Sequence, residues 1–303
     1  MPEEEKTIKD FEQLTGLLKK KEICKRTVVV WPEENHTQEA ILQATHEGFI
    51  SPILVCSERT KKIFADREAL QAVTAENPEE ASRIAVKIIR EQKADIIMKG
   101  FVNTDVLLRA ILDKEHGILP RGAVLTHITV TKIPEYPKLL FFTDAAVIPY
   151  PTEEQRKAQI KYVIDFCHAF NIDCPKISLI HCSEKVDVKH FPYTDSYNKI
   201  KKETESGLFG KCVVDGPLDL KTSCSTEAMK IKNICSTING EADALIFPDI
   251  EAGNLFYKTI TLFSHAETAA VLQGTLAPVV LSSRGDTIKS KFYSLALASL
   301  ISK

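Results

Sequence analysis

No stretch of this 303-residue chain approaches the roughly 20 consecutive apolar residues needed to cross a bilayer, so no membrane-spanning helix is expected. The opening MPEEEKTIKD lacks the basic-then-apolar pattern of a secretory signal, and the expected location is the cytoplasm. No CxxC pair occurs among the eight cysteines, which are dispersed from Cys24 to Cys235 and read as reduced thiols. The eight histidines show neither HxxxH nor HxH pairing, which removes the usual zinc signatures. His127, inside AVLTHITV, reads instead as a hydrogen-bonded core residue. G-x-G spacing is absent from the twelve glycines, which counts against a dinucleotide-binding turn. Gly117 and Gly122 have phosphate-loop spacing, but Ala123 stands where that loop needs lysine. A formal charge of −2 provides no basic excess of the kind that nucleic acid attracts.

What the chain does have is core material. With 44% hydrophobic residues it is longer than one core usually supports, and two packed domains are expected. Ile8, Phe11, Leu14, Leu17 and Leu18 mark an amphipathic first helix, for which covering its own domain is the simplest use. Apolar runs at 27–31, 52–56, 94–98, 123–130, 138–142, 176–182 and 211–214 read as strands, with helical stretches at 38–47 and 78–91. This is βα repetition, the pattern of an α/β fold. Proline punctuation at 133–137 and 148–151 marks the expected crossing between domains.

Two further strands deliver polar turns. ADALIF runs into PDIEAGN and then into Leu255, Phe256, Ile260 and Phe263, whose spacing is helical. Gly253 is expected to bend the backbone, and the first helical turn to hold an anion with its free amides and Lys258. Asp243, Asp249 and Glu251 resemble a Mg²⁺ cluster, but strand alternation separates their directions. APVVL at 277–281 leads into SSRGD, where Ser283 offers a hydroxyl and Arg284 a planar guanidinium suited to phosphate oxygens. Asp286 reads as the cap of the last helix. In an open parallel sheet ligands bind beyond the carboxyl ends of the strands, so both turns are expected to border one cleft.

The strings MKGFVNTDVLLRAIL at 98–112, DGPLDL at 215–220, FPDIEAGNLFYK at 247–258 and LSSRGD at 281–286 resemble the phosphate acetyl/butyryltransferase family, its butyryl branch most closely. The resemblance extends over nearly the whole chain. It implies two α/β domains with a cleft between them, isocitrate/isopropylmalate dehydrogenase-like, with residues 1–135 plus 278–303 in one and 136–277 in the other. It implies reversible acyl transfer between coenzyme A and inorganic phosphate by direct attack in a ternary complex. No cofactor is implied beyond the coenzyme A thioester, which is a substrate, and a homo-oligomer is the usual assembly.

Residue by residue, Ser283 and Arg284 match the family's Ser-Arg pair, the hydroxyl for the oxyanion and the guanidinium for phosphate or a coenzyme A oxygen. Phosphate acetyltransferases carry a carboxylate where this chain has Ser290, so the base stays open. Thr104 and Arg109, after Lys99, match a Thr-x4-Arg spacing in the acyl-phosphate region. On a helix they point about 140° apart, so both meet one ligand only if Asn103 caps the helix and Thr104 begins it. Without the resemblance, Arg109 reads as a solvated helix-face arginine. Asn254, Tyr257 and Lys258 carry over from the intact AGN-YK string. The competing readings are an acetyl-specific enzyme, a decarboxylating dehydrogenase-like oxidoreductase of the same architecture, and a coenzyme A-binding protein without turnover.

Overall fold

The computed structural model describes residues 6–65, 70–282 and 285–302. From the N-terminus the order is α1 (Phe11–Lys20), β1 (Lys25–Val30), α2 (Asn35–His46), β2 (Ile50–Cys56), α3 (Glu58–Ile63), β3 (Gln71–Thr74), α4 (Pro78–Arg90), β4 (Ile96–Lys99) and α5 (Thr104–Ile111). The chain continues through β5 (Thr126–Lys132), β6 (Leu140–Thr143), α6 (Glu153–Ala169), β7 (Lys176–Ile180), α7 (Thr194–Glu205), β8 (Val213–Leu218), α8 (Leu220–Cys224), α9 (Thr226–Lys232), β9 (Ala244–Ile246) and α10 (Ile250–Phe263). It closes with β10 (Glu267–Gln273), β11 (Val279–Val280) and α11 (Ile288–Ile301). The α/β alternation expected from the sequence is present.

Two compact units result, one of Phe11–Leu125 with Thr268–Lys303, the other of Met1–Asp10 with Thr126–Glu267. We call them the N-terminal and central units. The sequence placed the crossings at 135/136 and 277/278, and the proline-rich stretches 133–137 and 148–151 both fall inside the central unit. Ile8 precedes α1 and bonds through its N–H to Phe170 O, in the central unit.

In the N-terminal unit the strand order is β3-β2-β1-β4-β11-β10, parallel except for β10 against β11. α1 lies on α11, with Phe11 stacked on Tyr293 at a centroid distance of 4.5 Å. In the central unit the order is β5-β6-β9-β7-β8, parallel except for β5 against β6. Its core joins Phe142, Phe247 and Phe256 edge to face.

Three local expectations are corrected. β8 runs through Gly216 and Pro217 instead of ending at Val214, because it is the last strand of its row and proline's missing donor interrupts no ladder there. α10 begins at Ile250, so Gly253 lies within the helix, not at a bend before it. The helix also buries less than its pattern suggested: Ile260 is buried, but Leu255 and Phe263 are 69% and 74% exposed.

Candidate active site

In the N-terminal unit, β1, β4 and β11 run parallel with Val30 beside Lys99 and Val280 beside Met98, so their carboxyl ends open on one edge. Lys99 emerges there only 3% exposed and folds back, its Nζ 3.3 Å from Gly100 O and 3.1 Å from Val102 O. The next turn presses on β1. A Cβ at Gly100 would lie 2.6 Å from the carbonyl oxygens of Val30 and Trp31, which leaves room for glycine alone. Asn103 is the N-cap of α5 and Thr104 its first residue, the required placement, although the Asn103 side chain makes no capping bond. Arg109 is exposed on the same helix and donates to Asp105 Oδ2 at 2.5 Å. With Arg83, Lys87, Arg90 and His116 it lines a groove of about 900 Å³ between α4 and α5. Thr104 is not part of that lining.

Ser283 and Arg284 lie outside the described residues, but both flanks are defined. Thr287, not Asp286, caps α11: its hydroxyl accepts the Ser290 N–H at 3.1 Å. The Ser290 hydroxyl is bound to Thr268 of β10, 3.0 Å from its carbonyl oxygen and 3.1 Å from its Oγ1. Ser282 is buried and lies 3.2 Å from the ammonium of Lys291, which also reaches Glu34 Oε1 at 3.2 Å. Sequence reasoning passed over Lys291. Its signal was a lysine at the start of the largely apolar stretch of α11 that is buried without a break from Lys291 to Ser299.

In the central unit β6, β9 and β7 align with Thr143 and Leu179 on either side of Ile246. At that carboxyl edge the buried Asp144 organises the loop that follows. Its Oδ1 accepts the N–H groups of Ala146 and Val147 at 2.7 and 2.9 Å, and its Oδ2 accepts the Thr126 hydroxyl at 2.7 Å and the Ile148 N–H at 3.3 Å. α10 rests on this loop. A Cβ at Gly253 would run into the Asp144 carbonyl, and Asn254 Nδ2 donates to Ala145 O at 3.0 Å. Lys258 is exposed, with its ammonium 5.0 Å from the centroid of the Tyr257 ring.

Asp249 caps α10, accepting the Ala252 N–H at 2.8 Å, so a resident carboxylate already occupies the helix start where an anion was expected. Asp243 precedes β9 and is held by Lys138 Nζ and the Lys176 N–H, which separates it from Asp249 and Glu251. Among the described residues no group of three or more His, Cys, Asp or Glu is gathered as metal ligands. The DGPLDL string is structural in part: Asp215 is bound by Lys201 and Ser236, and Asp219 caps α8. Beyond β7, His181 Nδ1 lies 2.7 Å from the Tyr193 hydroxyl and Cys182 Sγ 3.7 Å from Nε2; burial pushes the imidazole below its ordinary pKa. His127 is buried, with Nδ1 3.4 Å from Thr129 Oγ1, in keeping with a core role.

Residues 71–299 match the sequence family described as phosphate acetyl/butaryl transferase. The chain is 35% identical to a phosphate butyryltransferase of Clostridium beijerinckii over 97% of this chain and 98% of that protein. It is 32% identical to a phosphate acetyltransferase of Thermotoga maritima, covering 91% and 95% of the two. A solved branched-chain phosphotransacylase from Enterococcus faecalis V583 superposes with a TM-score of 0.81 at 26% identity, over 91% of this chain and 98% of that one. Matched through most of its length by the family, and through nearly all of it by these relatives, the chain belongs to the phosphate acetyl/butaryl transferase family.

Proposed function

We propose that this protein catalyses reversible transfer of a short-chain acyl group, butyryl favoured, between coenzyme A and inorganic phosphate. The observation that carries this reading is the 35% identity to a phosphate butyryltransferase along nearly the full length of both chains. The LSSRGD and AGN-YK strings, both inside the matched segment 71–299, support it.

A phosphate oxygen attacks the thioester carbonyl, the carbonyl oxygen takes up negative charge, and collapse expels coenzyme A thiolate to leave acyl phosphate. Phosphate is a poor nucleophile unless positioned, and the crowded oxygens need cationic and hydrogen-bonding partners. In this reading the Ser283 hydroxyl donates to the oxyanion, and Arg284 holds phosphate through two parallel N–H bonds. Lys99, Thr104, Arg109, Asn254, Tyr257 and Lys258 serve substrate binding. Arg109 reaches a ligand by leaving Asp105, its exposed partner one turn earlier on the same helix face. No cysteine acts as nucleophile and no cofactor beyond the coenzyme A thioester is required. Ser290, bound to Thr268, is not assigned the role of base.

The same reading keeps the isocitrate/isopropylmalate dehydrogenase-like form of the fold, supported by the return of 268–303 to the N-terminal unit. It includes a cytoplasmic location and a homo-oligomer. A second reading, phosphate acetyltransferase, is favoured by the Thermotoga maritima relative. Two methylenes separate the acyl groups, about 1.6 kcal/mol when fully buried, so a modest pocket change switches the preference.

Thiol release from butyryl-CoA and acetyl-CoA, with and without phosphate, is the test. Phosphate-dependent release faster with butyryl-CoA is expected, and a faster acetyl reaction would select the second reading. Absence of phosphate-dependent release from both would sink the assignment. Arg284→Ala and Ser283→Ala are expected to lower kcat with folding retained, and a variant as active as the parent removes that residue from the mechanism.

A further inference from the structure

Lys291 is 1% exposed, on a helix whose following residues are buried through Ser299. Taking an ammonium out of water is unfavourable unless it gains an opposite charge and hydrogen-bond acceptors. Lys291 has both, in Glu34 Oε1 and Ser282 Oγ, each at 3.2 Å. Glu34 is the N-cap residue of α2, and its carboxylate accepts the Thr37 hydroxyl. Burial pushes the Glu34 pKa up, but Thr37, Lys291 and Lys99 together hold it below its ordinary value, so it stays ionised. Three parts of the N-terminal unit therefore meet on one buried ammonium: α11, the start of α2, and the segment leaving β11. That segment passes from Ser282 directly into Ser283 and Arg284. The neighbouring Ser290 is committed to Thr268 on β10, so this contact with Ser282 comes from Lys291.

We infer that Lys291 is a positioning residue for acyl transfer: by holding the Ser282 hydroxyl and the Glu34 carboxylate on one ammonium, it fixes the entry to the Ser283–Arg284 segment. This rests on the roles proposed above for Ser283 and Arg284. A salt bridge that served only stability is replaceable by a neutral pair of similar shape, whereas positioning also requires the donor to Ser282.

The test compares Lys291→Met, Glu34→Gln/Lys291→Met, Ser282→Ala and Ser283→Ala by phosphate-dependent thiol release from butyryl-CoA and by thermal unfolding. Lys291→Met is expected to lower kcat about tenfold to a hundredfold, with the KM for butyryl-CoA changed by less than about threefold. The double variant, freed of a stranded carboxylate, regains its thermal midpoint and stays as slow as Lys291→Met. Ser282→Ala leaves the charges paired and is expected to lose several-fold in kcat, which keeps a readout should Lys291→Met fail to fold. A double variant that recovers kcat together with stability, or wild-type kcat in Lys291→Met or Ser282→Ala, overturns the inference. If Ser283→Ala is impaired in that case, the inference fails alone. If Ser283→Ala is as active as the parent, the role of Ser283 fails and the inference with it.

Discussion

A methyl group at residue 253 has no free space, because it would enter the carbonyl that closes the Asp144 loop. Glycine at this point of the AGN-YK string therefore works by absence: it lets α10 sit close enough for Asn254 to bond Ala145 O. Gly253→Ala is expected to cost about 1–3 kcal/mol, seen as a lower thermal midpoint, and to displace Asn254. An unchanged midpoint would mean the loop yields freely. Asp215 gives a second prediction at this scale. Burial raises its pKa, but Lys201, Ser236 and the Gly216 N–H outweigh that and hold it below its ordinary value. A carboxylate depressed in the folded state contributes stability that is complete above its unfolded pKa, about 4, and is lost as pH falls through the folded value. Denaturant unfolding across pH is therefore expected to show Asp215→Asn less stable than the parent at neutral pH, with the gap closing under acid. Parallel curves would contradict this.

At the scale of elements, α6 shows how a charge inside the central unit ties separate segments together. Arg156 is buried between Tyr193 and Tyr197 and donates to Pro151 O and Pro248 O, each at 3.2 Å. The loop before α6 and the junction of β9 with α10 are thus joined by one guanidinium. Arg156→Met strands both carbonyls and is expected to destabilise by roughly 1–3 kcal/mol in chemical denaturation. A smaller loss would indicate that water replaces the arginine. Elements with a local signal were legible in the sequence: β1, β2 and β4 carry the apolar runs Val28–Val30, Ile53–Cys56 and Ile96–Met98, and the start of α4 is announced by Asn77 and Pro78. β3 and β10 were not. QAVT and ETAAVLQ carry little intrinsic strand preference and become strands through their partners β2 and β11. The site divides in the same way. Asn254, Tyr257 and Lys258 were visible as a string, whereas Arg156 and Lys291 take their meaning from partners far along the chain, Pro248 and Glu34.

For the molecule as a whole, the exposed side of α10 bears on assembly. Leu255, Leu262 and Phe263 are 69%, 65% and 74% exposed, and the first two lie two turns apart on one side of the helix. This apolar face supports the proposed homo-oligomer. Sedimentation is expected to show the parent as an oligomer and Leu262→Glu shifted toward the protomer. A parent that sediments as a single chain would remove the proposal. The sheet of the N-terminal unit has one more consequence. β4 is complete at Lys99, yet its neighbour β11 comes from Val279–Val280, beyond the whole of the central unit. As the chain leaves the ribosome, the apolar edge of Ile96–Met98 waits unpaired while 126–267 is translated, and such an edge invites foreign strands. The central unit has all its residues once Glu267 has emerged, before β11 can join the other sheet, so it is free to fold first, and a pause in translation within it exposes the half-built sheet to self-association.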